Sequence, residues 1–178
     1  MYSYGMQRHR VFISFYHHDD QAYKDYIDKY LSRSIINTSV RLGEYATDIS
    51  TEYIKRLIRE DKVSGSSVIV VLVGPNTKHR KHVDWEIYAG LAVSINGNSG
   101  LIGIMLPTVE CTPRGQYRYD DMPARLADNI KSGYAHLYTW DYAIGHFNEI
   151  IETAFNDRLS KKDLIQNSRL QMQRNTGG

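Results

Sequence analysis

Apolar and polar positions along this chain follow two rhythms. VFISFY (11–16), SSVIVVLVG (66–74) and LIGIML (101–106) are short apolar runs rich in β-branched residues, the signature of strands buried on both faces. A strand with one wet face would alternate polar and apolar residues, so these runs point to a parallel sheet covered by helices. Two weaker strands, SVRL (39–42) and AHLYTW (135–140), extend the series. Between the strands, apolar residues recur at helical spacing over 20–32, 51–60, 79–93 and 143–159, with a short helical piece at 124–130. Five strand–helix units joined by right-handed crossovers predict a three-layer, flavodoxin-like α/β fold with a five-stranded parallel sheet in the order 2-1-3-4-5. Residues 107–123 make a long connection for such a fold. Residues 161–178 read as a polar, frayed C-terminal extension beyond one domain at 1–160.

Composition narrows the function. The chain has 178 residues, 42% hydrophobic and 24% charged, which suits one folded domain rather than a disordered segment. The longest unbroken apolar run, 68–73, is too short to cross a bilayer, and no secretory pattern precedes it. The expectation is a cytoplasmic protein without membrane contact. Cys111 is the single cysteine, so neither a disulfide framework nor a cysteine-based metal site is expected. The net charge of +2 resides in the tail: 161–178 hold Lys161, Lys162, Arg169 and Arg174 against Asp163, leaving 18 basic against 19 acidic residues in 1–160. Such a body lacks the basic stripe of a nucleic-acid binder. No Gly-x-Gly-x-x-Gly turn or Gly-Lys-Ser/Thr loop is present, which argues against a dehydrogenase or a nucleoside triphosphatase.

In an open sheet of this order, ligands rest beyond the carboxyl ends of the strands, where the connections of the first and third strands diverge. The loops there are Ser14-Phe15-Tyr16-His17-His18-Asp19-Asp20 and Gly74-Pro75-Asn76-Thr77, with 43–50 bringing Tyr45. In the helix after the third strand, Val83, Ile87 and Leu91 form a core stripe. Glu86 lies beside that stripe and shares a face with His82, Ala89 and Gly90, where the small residues leave room for a ligand; Trp85 points elsewhere. Asp19 or Asp20 reads as a helix N-cap rather than part of a metal cluster, because adjacent side chains diverge. His79 and His82, among Lys78, Arg80 and Lys81, read as a solvated basic face. Tyr117 and Tyr119, interleaved with Arg114 and Arg118, offer a grip for a base and a phosphate.

Taken together, VFISFYHHDD, TEYIKRLIRE and SSVIVVLVGPNTKHRKHVDWEIYAG resemble the TIR-like domains of bacterial antiviral defence, in particular the TIR-like component of Thoeris systems, over about residues 10–155. The resemblance implies an enzyme that takes NAD as substrate, with no further cofactor and no metal. It would cleave the nicotinamide–ribose bond and make a cyclic ADP-ribose-type second messenger for a downstream effector. Self-association and an infection-derived trigger belong to the same expectation. The family's catalytic glutamate maps onto Glu86, and His82 stands where the animal branch often has cysteine. Substrate-binding residues are then expected at Ser14, Phe15, Tyr16, Asp19, Tyr45 and His82, with Phe15 or Tyr16 stacking on a ring of the dinucleotide. Two rivals remain open at this point: a non-catalytic TIR scaffold, which needs no carboxylate at position 86, and a flavodoxin-like receiver or nucleotide-binding regulator.

Overall fold

A computed structural model describes residues 8–38, 50–57, 65–92 and 97–177. The elements run β1 (His9–Ser14), α1 (His17–Tyr30), β2 (Ile35–Asn37), α2 (Thr51–Leu57), β3 (Val68–Val73), α3 (Lys81–Leu91), β4 (Gly100–Met105), α4 (Ala124–Lys131), β5 (His136–Thr139), α5 (Trp140–Gly145) and α6 (Phe147–Ser160). Among the described residues the strands form one parallel five-stranded sheet in the order β2-β1-β3-β4-β5. This is the doubly wound, flavodoxin-like order that the apolar runs predict.

Strand parity builds two cores from one sheet. Phe12, Ile69, Val71 and Val73 face a layer that includes α3 and α4, whereas Val11, Ile13, Val68, Val70 and Leu72 face α1, α5 and α6. Every β3 residue is therefore buried, which is why that strand reads as an unbroken apolar run. Burying one such side chain contributes roughly 1.5–3 kcal/mol.

Some elements depart from the sequence pattern. The second strand is Ile35–Asn37, paired with β1 through His9 and Ile35; the 39–42 segment lies outside the described residues. The helix expected over 143–159 is two helices that meet at His146, whose φ of −129° and ψ of 27° interrupt the helical path. α1 begins at His17 with Tyr16 in the N-cap position, so neither Asp19 nor Asp20 caps it.

The C-terminal segment is not frayed. It runs back across α3 and α4 as a strap built on polar contacts. Arg125, 0% exposed, pairs with Asp84 through Nε and Oδ1 at 2.9 Å, and its Nη1 donates to Asn167 Oδ1 at 3.0 Å. The Met172 amide donates to the other Asp84 oxygen at 2.8 Å, and Trp85 Nε1 donates to the Met172 carbonyl at 2.8 Å. Asn129 exchanges hydrogen bonds with the Gln166 backbone at 2.8 and 2.9 Å.

Removing one member of a buried ion pair strands the other charge away from water, at a cost of about 3–5 kcal/mol. Arg125→Met should therefore lower the unfolding free energy by about that amount in urea titrations. Arg169→Ala, at the solvent-facing Arg169–Asp128 pair, should change it by less than about 1 kcal/mol.

Candidate active site

The connections leaving β1 and β3 go to opposite faces, α1 into one core and α3 into the other. The crevice beyond their carboxyl ends is the ligand position of this topology. Ser14 closes β1 and shares a face with Phe12 by the two-residue repeat, so it points toward α3. Its hydroxyl donates to Glu86 Oε2 at 2.5 Å. Both residues are buried, Ser14 at 1% and Glu86 at 0% exposure. The neighbouring Val83 and Ile87 are embedded in the core, so a short hydrogen bond joins the end of β1 to a carboxylate on a helix packed against the same sheet.

The turn after β3 is locked to α1. Gly74 N–H donates to Thr77 Oγ1 at 2.9 Å, and the Thr77 hydroxyl reaches Asp20 Oδ2 at 3.2 Å. A Cβ on Gly74 would lie 2.5 Å from either Asp20 carboxylate oxygen, so any side chain there displaces the Asp20 carboxylate. Asp20 is 1% exposed. Burial pushes its carboxyl up to about 6, with the negative charge of Asp19 adding to the rise and the Thr77 hydrogen bond opposing it. Asp19 instead accepts from Asn76 Nδ2 at 2.7 Å and lies 2.6 Å from His18 Nδ1. The Asn76 bond, then His18, holds its carboxyl below the usual range.

Two histidines line the same region. His17 Nδ1 faces Gln21 Oε1 at 3.2 Å, and Gln21 Nε2 donates to Asp25 at 2.8 Å. That chain orients the Gln21 amide with its oxygen toward the ring, which assigns the His17 proton to Nδ1 and leaves a lone pair on Nε2. His17 Nε2 and His82 Nδ1 are buried without a hydrogen-bond partner among the described residues. Burial holds both rings below the ordinary histidine range, helped by Lys24 at His17 and by Lys81 and His17 at His82. His82 is thus a half-buried neutral group, edge-on to Trp85 at 5.1 Å, and not part of a solvated basic face. The Arg80 guanidinium lies 4.0 Å from the centroid of the Tyr16 ring.

Residues 12–111 match the family of the Thoeris protein ThsB, TIR-like domain. The chain belongs to this family. No curated protein matches the sequence. Among solved structures, the TIR domains of the activated Roq1 resistosome recognising the pathogen effector XopQ are similar at 15% identity and a TM-score of 0.40, covering 83% of this chain and 84% of that one.

Within this TIR-like domain the expected site residues separate. Glu86 and Ser14 are in direct contact, and Tyr16 carries the Arg80 guanidinium. His82 precedes Glu86 by one helical turn. Phe15, 5% exposed, lies in the α1–α5–α6 core with its ring centroid 4.1 Å from that of His17; strand parity sends it to the face opposite Ser14. Asp19 ties the first turn of α1 to the turn after β3, and Tyr45 lies outside the described residues. In the 107–123 connection, Tyr117 packs against the α3–α4 core, Arg118 pairs with Asp121 at 3.2 Å and Lys131 covers Tyr119 at 4.6 Å. His17 and Arg80 are the additions that sequence reasoning missed. Their flanking positions hint at them, but the ring that seats Arg80 comes from the start of α1. Among the described residues no group of three His, Cys, Asp or Glu side chains could hold a metal ion, and no helix is long and apolar enough to cross a membrane.

The Asp20 carboxyl gives a signed test. A folded-state value raised from 3.8 to about 6 means that its contribution is fully present below about pH 4 and is lost as pH rises through about 6. Asp20→Asn keeps an oxygen for the Thr77 hydroxyl and removes the charge. The variant should match wild type in urea unfolding at pH 4 and exceed it at pH 7.5.

Proposed function

We propose that this TIR-like domain cleaves the nicotinamide–ribose bond of NAD and closes the remaining ADP-ribose into a cyclic second messenger that a downstream effector reads in antiphage defence. The observation that supports this reading is the buried Glu86 carboxylate at the switch point, one oxygen of which accepts the Ser14 hydroxyl at 2.5 Å.

The chemistry needs one carboxylate rather than two. The pyridinium nitrogen of NAD is already positive, so when the C1′–N bond breaks both electrons pass to the ring and nicotinamide leaves neutral. No acid has to protonate it, in contrast to ordinary glycoside hydrolysis with its paired carboxyl groups. What remains on ribose is an oxocarbenium-like cation, which a fixed negative charge in a water-poor site stabilises. The Ser14 hydrogen bond strengthens as negative charge on Oε2 is retained, and it aims the carboxylate. A ribose hydroxyl or adenine nitrogen of the same molecule then bonds to C1′ and releases one proton, which we assign to His82. The positive Arg80 guanidinium, seated on Tyr16, suits the diphosphate.

Glu86→Gln keeps size and hydrogen-bonding shape and removes the charge. NAD turnover should fall by at least about 10²-fold with the thermal midpoint preserved, while Ser14→Ala should lower kcat less, by about tenfold. Nicotinamide release measured by chromatography checks both. Release by Glu86→Gln at the wild-type rate would favour the scaffold reading instead.

A carboxylate that is 0% exposed meets a dinucleotide only after the surrounding chain shifts. This supports a gated enzyme, switched on by self-association or by an infection-derived component. Activity per molecule should therefore be low in dilute buffer and rise with protein concentration or with lysate from infected cells. A high, concentration-independent specific activity in lysate-free buffer would contradict the gate.

A further inference from the structure

α3 has no capping side chain of its own. Arg80 occupies its N-cap position at φ −102° and ψ 112° without a side-chain cap hydrogen bond, and the first amides of a helix lack intrahelical acceptors. The strap supplies one: Lys81 N–H donates to Asn175 Oδ1 at 3.0 Å. Thr176 fixes that residue in place, its amide donating to the His79 carbonyl at 3.0 Å and its hydroxyl lying 3.0 Å from His79 Nδ1. Gly177 follows at φ +63°, where a Cβ would sit 2.9 Å from the His79 ring.

The remaining contacts continue along the same helix. Met172 brackets Asp84 and Trp85 through its own amide and carbonyl, and Asn167 Nδ2 donates to the Tyr88 carbonyl at 3.1 Å. Positions 81, 84, 85 and 88 fall on one face at the helical repeat. Val83 and Ile87 point into the core, and Glu86 is turned away from the strap's face. α3 is thus gripped from two sides, by the sheet and by the strap.

We propose that the 167–176 strap is the positioning device for Glu86, and that Asn175 acts in it as a cap donated from the far end of the chain. The proposal rests on the reading of Glu86 as the catalytic carboxylate. Fixing the rotation and axial position of α3 keeps the carboxylate in register with the Ser14 hydroxyl, and displacements of about 1 Å at such a site cost up to about 10²-fold in rate. The strap lies outside the 12–111 span that the family match covers.

The test compares full-length wild type, Asn175→Ala, Asn175→Asp and the control Asp163→Ala, an exposed residue that precedes the strap and has no described contact to α3. Two readouts are taken under activating conditions: steady-state NAD cleavage, and hydrogen exchange at the amides of 81–86. Asn175→Ala should lower kcat about tenfold with KM changed less than about twofold, and should speed exchange in the first turn of α3. Asn175→Asp, which retains a capping oxygen, should restore both, and Asp163→Ala should alter neither. Unchanged exchange and turnover in Asn175→Ala, or equal losses in the alanine and aspartate variants, overturn the proposal. Absence of NAD cleavage by activated wild type would instead sink the enzymatic reading, and the exchange data would still decide whether Asn175 caps α3.

Discussion

The ion pair of Asp84 and Arg125 is the junction on which the α3 side of the molecule depends. Two charges taken out of water carry a desolvation cost that their attraction offsets only when every remaining donor and acceptor is also used. Here they are: the second Asp84 oxygen takes the Met172 amide, Arg125 Nη1 goes to Asn167, and the guanidinium lies 5.1 Å from the Tyr88 ring centroid. An apolar contact between helices tolerates sliding, whereas a hydrogen-bonded charge junction has one register. α3, α4 and the strap are consequently fixed relative to one another, and Glu86 inherits that placement two residues beyond Asp84.

Much of the frame was legible because a parallel sheet imposes its own pattern. β3 and β4 are buried on both faces and leave long apolar runs, which no loop in this chain imitates. β2 was misplaced for the opposite reason: a three-residue edge strand with Ile35 as its one buried residue leaves no run to find. The start of α1 was missed because Tyr16 carries no capping oxygen while the nearby Asp-Asp pair looks like a cap. The strap was unreadable because its stabilisation is polar and each bond reaches a partner about 40 to 94 residues away, so no local periodicity records it.

The site divides along similar lines. Glu86 was visible because it sits beside a helical core stripe and next to small residues, and Ser14 because it ends an apolar run. Parity alone separates Phe15 from Ser14, since Val11, Ile13 and Phe15 face one way and Phe12 and Ser14 the other. Asp20 could not be read from its neighbours in sequence. Its surroundings are Thr77 and Gly74 on a different strand connection, and a carboxyl pushed toward neutrality is a property of that packing rather than of the motif.

The displaced titrations around the crevice run both ways, for the Asn76 and His18 contacts hold Asp19 toward its charged form. Burial moves His17 and His82 toward their neutral forms and moves Asp20 the same way from the acidic side. The two imidazoles therefore add little positive charge to the region near pH 7, whereas Asp20, at about 6, is mostly ionised there. Where water is excluded, the field of a remaining charge is screened less. Under the NAD reading the surviving polarity suits the substrate: a carboxylate for the cationic nicotinamide ribose, and the Arg80 guanidinium on Tyr16 for the anionic diphosphate. An imidazolium at His82, one helical turn before Glu86, would oppose a developing oxocarbenium, whereas a neutral ring leaves its stabilisation intact and offers a lone pair for the proton released on ring closure.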